Sequence, residues 1–393
     1  MCYLLNFEIN GLFLLRIENS QVTRFLKNAS VEGKETEGML VVKTKEGESE
    51  RNDERDRISE LPMSVLLYIM NFMNTKDAVQ TCVLSKHWKE LWKSLTTLSF
   101  NSLSFRKHAK FNNFVSGILS SRDHSVSVLN LDFALCMPTD LEFVNFNRVM
   151  EYALLHNCQN LTIDFSIKFF GSDLPLVCLT RKFIGPYWKL PKSLQIPALK
   201  TLNLVNIRFA SSNNDCAEPF STCNLLNTLV LKNCTLDRDV KVLCISNSNL
   251  SSFKLHDSFR QKPYNIVLST PNLRSLTITD SCCRCRQLSS TCNLSFLEEV
   301  NIEVIFNEYS SSILSWLPLF SNIKKMTLSM DILKFISDVL SHSHSTKTQP
   351  PSFVRLESLK VTMNQWRGSY YEELNTVAQF LLQNSPLTTV DVI

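Results

Sequence analysis

Residues Leu226–Leu236 read LNTLVLKNCTL, with apolar side chains at 226, 229, 231 and 236 and a cysteine at 234. The spacing has a direct physical meaning. In an extended strand alternate side chains share a face, so Leu229 and Leu231 enter a core while Val230 and Lys232 point away from it. The opening of this pattern, apolar-x-x-apolar-x-apolar, recurs as Leu199/Leu202/Leu204, Leu250/Phe253/Leu255, Leu273/Leu276/Ile278, Leu297/Val300/Ile302, Ile323/Met326/Leu328, Leu356/Leu359/Val361 and Leu387/Val390/Val392. Earlier copies are read at Leu95/Leu98/Phe100, Val126/Leu129/Leu131 and Cys158/Leu161/Ile163. The central positions 202, 229, 253, 276, 300 and 326 lie 27, 24, 23, 24 and 26 residues apart.

A period of this length is that of leucine-rich repeats, roughly 20 to 29 residues. Burying a leucine stabilises by about 1.5 to 3 kcal/mol, so one copy cannot offset its chain entropy, whereas a stack of ten or so can. The expected fold over residues 95–393 is therefore an α/β solenoid, a leucine-rich-repeat horseshoe with parallel strands on the concave face and helices or irregular turns outside. Outside the central run the gaps lengthen to between 31 and 41 residues, so those copies carry insertions or longer helices. Phe169–Ile196, with Pro175, Pro186 and Pro191, is expected to be largely irregular. Only the copy ending at Cys234 and Leu236 completes the full motif. Elsewhere its ladder position holds Ala134, Ser166, Ile207, Ser258, Ser281, Ile305, Asp331 or Asn364.

Composition removes several function classes. The 393 residues carry 41 Lys+Arg against 37 Asp+Glu, a net charge of +4, which is too little to mark a dedicated nucleic-acid binder. Only 8 glycines are present, and neither G-x-x-x-x-G-K-[ST] nor G-x-G-x-x-G occurs. The 13 cysteines are odd in number and scattered through strand-like segments, so they read as reduced thiols of an intracellular protein, nuclear or cytoplasmic. The sequons at Asn160 and Asn233 are then unused. Met1–Leu15 lacks the basic start and cleavage site of a secretory signal, and Asn6, Glu8, Asn10 and Arg16 interrupt any membrane span. Residues 1–30 read as an undefined apolar extension. Residues 31–54 (VEGKETEGMLVVKTKEGESERNDE) read as a flexible charged linker.

Residues 55–100 form a denser block. After Pro62, the residues Leu66, Leu67, Ile69, Met70 and Met73 recur at helical spacing, predicting a first helix from about 62 to 70. Asn74-Thr75 can cap a second helix carrying Ala78, Val79 and Cys82. A third is expected from Ser85, with Trp88, Leu91 and Trp92 on one side. Helices this short are unstable alone and must share a core. The block also has more apolar side chains than about 45 residues can bury, and such an excess marks a partner surface.

The segments Asp56–Pro62, Val65–Met70, Lys76–Val79 and Val83–Trp92 (VLSKHWKELW) closely resemble the F-box of plant-type F-box proteins with leucine-rich repeats. Met63, where an acidic residue is usual, and His87, where arginine is common, depart from the pattern. Leu381–Pro386 also looks like the tail of this family. The resemblance implies a small three-helix F-box before the solenoid and a role as substrate-recognition subunit of a Skp–cullin–F-box ubiquitin ligase. It further implies that Leu61, Pro62, Ile69, Val79, Cys82, Val83, Leu84 and Trp88 pack on the Skp-type adaptor or support that packing. Through the adaptor the chain would reach a cullin, and its repeats would hold a target protein. A ubiquitin-independent, adaptor-bound scaffold is the alternative.

Outward strand positions carry bands of charge: Lys254, His256 and Arg274, then Glu298, Glu299 and Glu303, then Lys324 and Lys325. As strands lie about 4.8 Å apart, these would make basic, acidic and basic stripes that a target could read, although charges at such positions also serve solubility. Cys282-Cys283-Arg284-Cys285 with Cys292 has no evident second pair for zinc, and His342 and His344 border a Ser/Thr-rich insertion, so neither a metal site nor a cofactor is expected. No G-x-S-x-G, H-E-x-x-H or paired-acid site is found, which fits a non-catalytic chain with no nucleic-acid or membrane partner.

Overall fold

The computed structural model describes residues 5–6, 14–15, 61–136, 145–165, 188–212, 215–257, 264–280, 285–304, 313–342, 353–363, 371–383, 385 and 388–392. The linker read at 31–54 and the segment 166–187 lie outside them. The chain divides into two units, Met1–Leu95 and Thr96–Ile393.

In the first unit, strands β1 (Leu5–Asn6) and β2 (Leu14–Leu15) pair antiparallel. Helix α1 spans Met63–Met70 and α2 spans Thr75–Gln80, with 3-10 turns at Thr81–Val83 and Leu91–Ser94. The third helix expected from Ser85 is instead a run of turns. Its backbone bonds join residues three apart, as in Trp88 N to Ser85 O (3.2 Å), Leu91 N to Trp88 O (3.3 Å) and Leu95 N to Trp92 O (3.4 Å). This tighter winding aligns side chains three apart, and it buries Trp88 and Leu91 together.

The second unit contains β3 (Thr97–Asn101), β4 (Asn130–Ala134), β5 (Asn160–Asp164), β6 (Trp188–Leu190), β7 (Thr201–Val205), β8 (Ile207–Phe209), β9 (Cys216–Ala217), β10 (Thr228–Lys232) and β11 (Thr235–Leu236). It continues with β12 (Val242–Ser246), β13 (Ser252–Asp257), β14 (Tyr264–Ser269), β15 (Ser275–Asp280), β16 (Cys285–Ser290), β17 (Glu299–Val304), β18 (Lys325–Ser329), β19 (Ser358–Thr362) and β20 (Thr389–Val392). Among the described residues, one parallel sheet of 11 strands runs in the order β3-β4-β5-β7-β10-β13-β15-β17-β18-β19-β20. The pattern found in the sequence is the register of this sheet. Leu161, Leu202, Leu229, Phe253, Leu276, Val300, Met326 and Leu359 pair in succession, all buried.

One copy is displaced. Leu98 pairs with Leu131 and Phe100 with Phe133, so the triplet at this repeat is Val128/Leu131/Phe133, and Leu129 is exposed. A slip of two residues keeps side chains on the same face, so the leucines at 129 and 131 satisfy the pattern equally well in either register.

The segments between these strands are the larger difference. In the central repeats they hold strands as well as turns: β16-β14-β12-β9 and β11-β8-β6 form two further parallel sheets. The sequences of β12 (VLCIS) and β14 (YNIVLS) alternate with period two, burying Leu243 and Ile245, then Tyr264, Ile266 and Leu268. A 23- to 27-residue repeat that already holds a strand and two turns has little room for a helix. The longer repeats do form helices, α3 (His108–Ser121), α4 (Asn145–Leu155), α6 (Met330–His342) and α7 (Tyr371–Leu382), with the short α5 (Ile313–Trp316) before β18. On α3, Phe111, Val115, Ile118 and Leu119 form the buried stripe.

The chain passes from inner strand to outer strand at asparagines in the left-handed region. Asn206 (φ 58°) joins β7 to β8, and Asn233 (φ 51°) leads from β10 to β11. Asparagine tolerates this conformation better than other side chains. The Asn206 amide nitrogen also donates to the Phe165 carbonyl (3.2 Å), tying one repeat to the last. At the complete copy, the buried Cys234 thiol donates to the Leu204 carbonyl (3.4 Å), so the ladder cysteine bonds the preceding repeat.

Not all cysteines are reduced. A disulfide joins Cys216 on β9 to Cys244 on β12, with Cα atoms 6.5 Å apart and a sequence separation of 28. Stacking of repeats is what brings them together. In the register of this pair Cys216 faces Val242, two residues from Cys244. Among the described residues, no helix is long and apolar enough to cross a membrane.

Candidate functional site

In the first unit, α1 follows Pro62, whose carbonyl accepts from Val65 N (2.9 Å) and Leu66 N (3.1 Å). Pro62 sits just before the first helical residue, where its missing N–H leaves no bond unmade. The Asn74 side chain accepts from Asp77 N (2.9 Å), capping α2 as its sequence predicts. Thr81 Oγ1 donates to the Ala78 carbonyl (2.7 Å), holding the turn that follows. Leu66, Met70, Ala78, Trp88, Leu91 and Leu95 are buried and form the core.

Of the remaining described apolar side chains most are half-buried, and four large ones are exposed. Val83 is 72% exposed and Met63 55%. Tyr68 and Phe72, one helical turn apart, are also exposed and pack edge to face, with centroids 4.9 Å apart. Of the residues singled out from sequence, Pro62 and Val83 are exposed, and Leu61, Ile69, Val79, Cys82 and Leu84 are half-buried. Trp88 is buried in the core, so any part it has in docking is as support from beneath. Met63 lies near the docking surface read from the sequence, whereas Tyr68 and Phe72 were not among the assigned contacts. Residue type alone does not turn Tyr68, on α1, or Phe72, just after it, outward.

This surface lies within the part of the chain that matches a known domain family over residues 58–100. That family is the F-box domain. Beyond the F-box the chain is similar to plant proteins of the same kind. It is 27% identical to F-box protein At1g60400 of Arabidopsis thaliana over 81% of this chain and 80% of the relative. It is 27% identical to F-box/FBD/LRR-repeat protein At5g22660 of the same plant, over 74% of this chain and 69% of the relative. With putative F-box protein At1g58310, also from Arabidopsis thaliana, identity is 25% over 65% of this chain and 55% of the relative.

In the second unit, the charged positions read from sequence come from four adjacent strands of the main sheet, in the order β13, β15, β17 and β18. Lys254 on β13 is exposed and His256 half-buried. Burial, and then the charges of Lys232 and Lys254, hold the His256 pKa below its usual value, while Glu303 pulls it the other way. Arg274, Glu298 and Lys324 occupy equivalent positions just before β15, β17 and β18, where Glu298 N donates to Arg274 O and Lys324 N to Glu298 O. Lys324 Nζ lies 2.8 Å from Glu298 Oε1, so this acid and this base largely satisfy each other. The same bond, followed by the charges of Lys324, Arg274 and Arg355, lowers the Glu298 pKa. Glu299 pairs in register with Lys325. The stripes therefore differ: around β17–β18 opposite charges neighbour one another, whereas Lys254 has Lys232 beside it.

Of the cysteine cluster considered for zinc, residues 282–284 lie outside the described residues, as does His344. Cys292 is half-buried, with its sulfur 3.6 Å from Ser290 Oγ. Among the described residues, no group of three or more His, Cys, Asp or Glu side chains is arranged to hold a metal.

Proposed function

We propose that this chain is the substrate-recognition subunit of a Skp–cullin–F-box ubiquitin ligase, working inside the cell. In this reading the F-box docks a Skp-type adaptor through the outward side chains of α1 and of the turn after α2. The repeats form a leucine-rich-repeat solenoid whose outward strand positions hold the target. The chain itself does no chemistry, and ubiquitin transfer belongs to the other subunits. The observation that carries the reading is the partition of apolar side chains in the F-box. Six are buried in its core, while Met63, Tyr68, Phe72 and Val83 remain exposed on a domain whose matched relatives are F-box proteins. Exposed clusters of large apolar side chains mark partner surfaces.

The test is co-purification. Leu61→Ala combined with Pro62→Ala is expected to abolish capture of a Skp-type adaptor while the repeat unit keeps its fold. Unchanged capture by the double variant would remove the docking claim. Association of the complex with a cullin, and accumulation of bound proteins when the chain is depleted, separate a ligase receptor from an adaptor-bound scaffold.

A further inference from the structure

The disulfide between Cys216 and Cys244 lies on the half-exposed face of the four-stranded sheet β16-β14-β12-β9. Burial alternates along both of its strands. Ala217, Leu243 and Ile245 are buried, whereas Cys216, Val242, Cys244 and Ser246 are half-exposed, so a dissolved thiol can reach the sulfurs. The loop that the bond closes contains β10 and β11, a complete repeat. Other cysteines are placed differently. Cys158, Cys223 and Cys234 are buried, and burial pushes the Cys223 thiol up and the Cys158 thiol up to about 12. The thiolate is the reacting form, so buried thiols of this kind are inert.

Strand β9 is where a cross-link has most to hold. It is two residues long and stands at the edge of its sheet, beside β12. Their ladder pairs Cys216 with Val242 and Ala217 with Leu243, and the Asp215 carbonyl accepts from Lys241 N (3.0 Å) and Val242 N (3.3 Å). The following junction has no equivalent link, because Val267 of β14 stands opposite Cys244.

We infer that Cys216 and Cys244 form a reversible redox clasp, which fastens the edge strand β9 to β12 when oxidised and releases it when reduced by a glutathione-type thiol. The inference rests on the proposed site of action inside the cell, where such thiols keep most disulfides open. In the reduction a glutathione thiolate attacks one sulfur of the pair, the S–S bond breaks, and the departing sulfur takes up a proton. A second glutathione then displaces the first. The net change is one protein disulfide and two glutathione thiols giving two protein thiols and one glutathione disulfide, and an excess of glutathione disulfide drives the reverse. Once the bond is open, β9 keeps only its short ladder, and the unfolded chain regains the freedom that the closed loop denied it.

The experiment equilibrates the purified full chain in buffers of reduced or oxidised glutathione and traps free thiols with N-ethylmaleimide. Mass spectrometry is expected to find Cys216 and Cys244 alkylated together in the reducing buffer and joined in the oxidising one, with the change running in both directions. Reduction should speed hydrogen exchange at the Lys241 and Val242 amides about tenfold or more. It should also lower the melting temperature by about 5 °C or more. In Cys216→Ser and Cys244→Ser neither quantity should respond to the buffer. A bond that survives excess reduced glutathione, thiols that never pair in the oxidising buffer, or exchange and melting that ignore the state of the pair would each overturn the inference. Adaptor capture by the same preparations keeps the two claims apart. Intact capture with an unresponsive pair sinks this inference alone, while lost capture with a responsive pair sinks the F-box reading alone.

Discussion

Val83 offers the sharpest separation of folding from docking. Its side chain is 72% exposed in the free chain, so little of it contributes to the F-box core. Replacing it by alanine removes two carbons worth about 0.8 kcal/mol each when fully buried, which at this exposure leaves about 1 kcal/mol for a partner to recover. The Val83→Ala affinity for the adaptor should fall roughly sixfold, since about 1.4 kcal/mol is tenfold. Val83→Asp adds an unpaired carboxylate to an apolar contact at a further cost of about 1 to 3 kcal/mol, so a loss of about 30-fold or more is expected. Stability of the free chain should move by no more than about 0.5 kcal/mol in either variant, as for other exposed substitutions. Leu66→Ala is the control: Leu66 is fully buried, and its truncation should cost about 2 to 5 kcal/mol and lower the melting temperature. Calorimetric titration of purified adaptor into each variant, with thermal melts alongside, gives both quantities. If Val83→Asp binds the adaptor as the parent does, the outward apolar surface is not the docking face and the argument from exposure fails.

Two further outcomes follow from the second unit. His156 is buried, with Tyr152 stacked on it at 4.0 Å and His124 at 5.6 Å, and its pKa is lowered first by burial and also by the charges of Arg122 and His124, against a bond that the imidazole donates to the Val126 backbone. Its contribution to stability is complete above the ordinary histidine pKa of about 6.5 and is lost as pH falls below it, because the unfolded chain takes up the proton more readily. The melting temperature should therefore drop between neutral pH and pH about 5. His156→Phe should flatten that slope, and an unaltered slope would exclude this group. At Asn233, where φ is 51°, substitution by glycine should lower the melting temperature less than substitution by alanine. Alanine should cost about 1 to 2 kcal/mol, and equal melting of the two variants would show that the backbone conformation is not what asparagine supplies there.

The inner sheet was legible because one rule, two apolar side chains on the same face of a short strand, repeats at every copy. Leu202, Leu229, Phe253, Leu276 and Val300 stand in the expected register. The same rule misled at Leu129, since a shift of two residues preserves the face. Strands β12 and β14 alternate just as clearly, yet they lie between copies of the motif, where helices or irregular turns are expected. In the F-box, apolar spacing located α1 and α2, but burial of Trp88 and Leu91 comes from residues three apart, a winding that helical periodicity does not reveal. Tyr68 and Phe72 carry no signal of orientation in their chemistry, because a large apolar side chain suits a core and a docking surface alike. The Cys216–Cys244 bond was invisible for another reason: it joins neighbours in the stack, and neighbours in the stack are 28 residues apart in sequence.

The 11-stranded parallel sheet of the second unit is built as a series. Each strand bonds only to the strands on either side, so a whole unit can be inserted or deleted without rebuilding the others. Every such event would move the side chains on either side of it apart or together by one strand spacing, about 4.8 Å. A lineage of such chains could thus lengthen or shorten the sheet in fixed steps, with each surviving side chain left in its original setting.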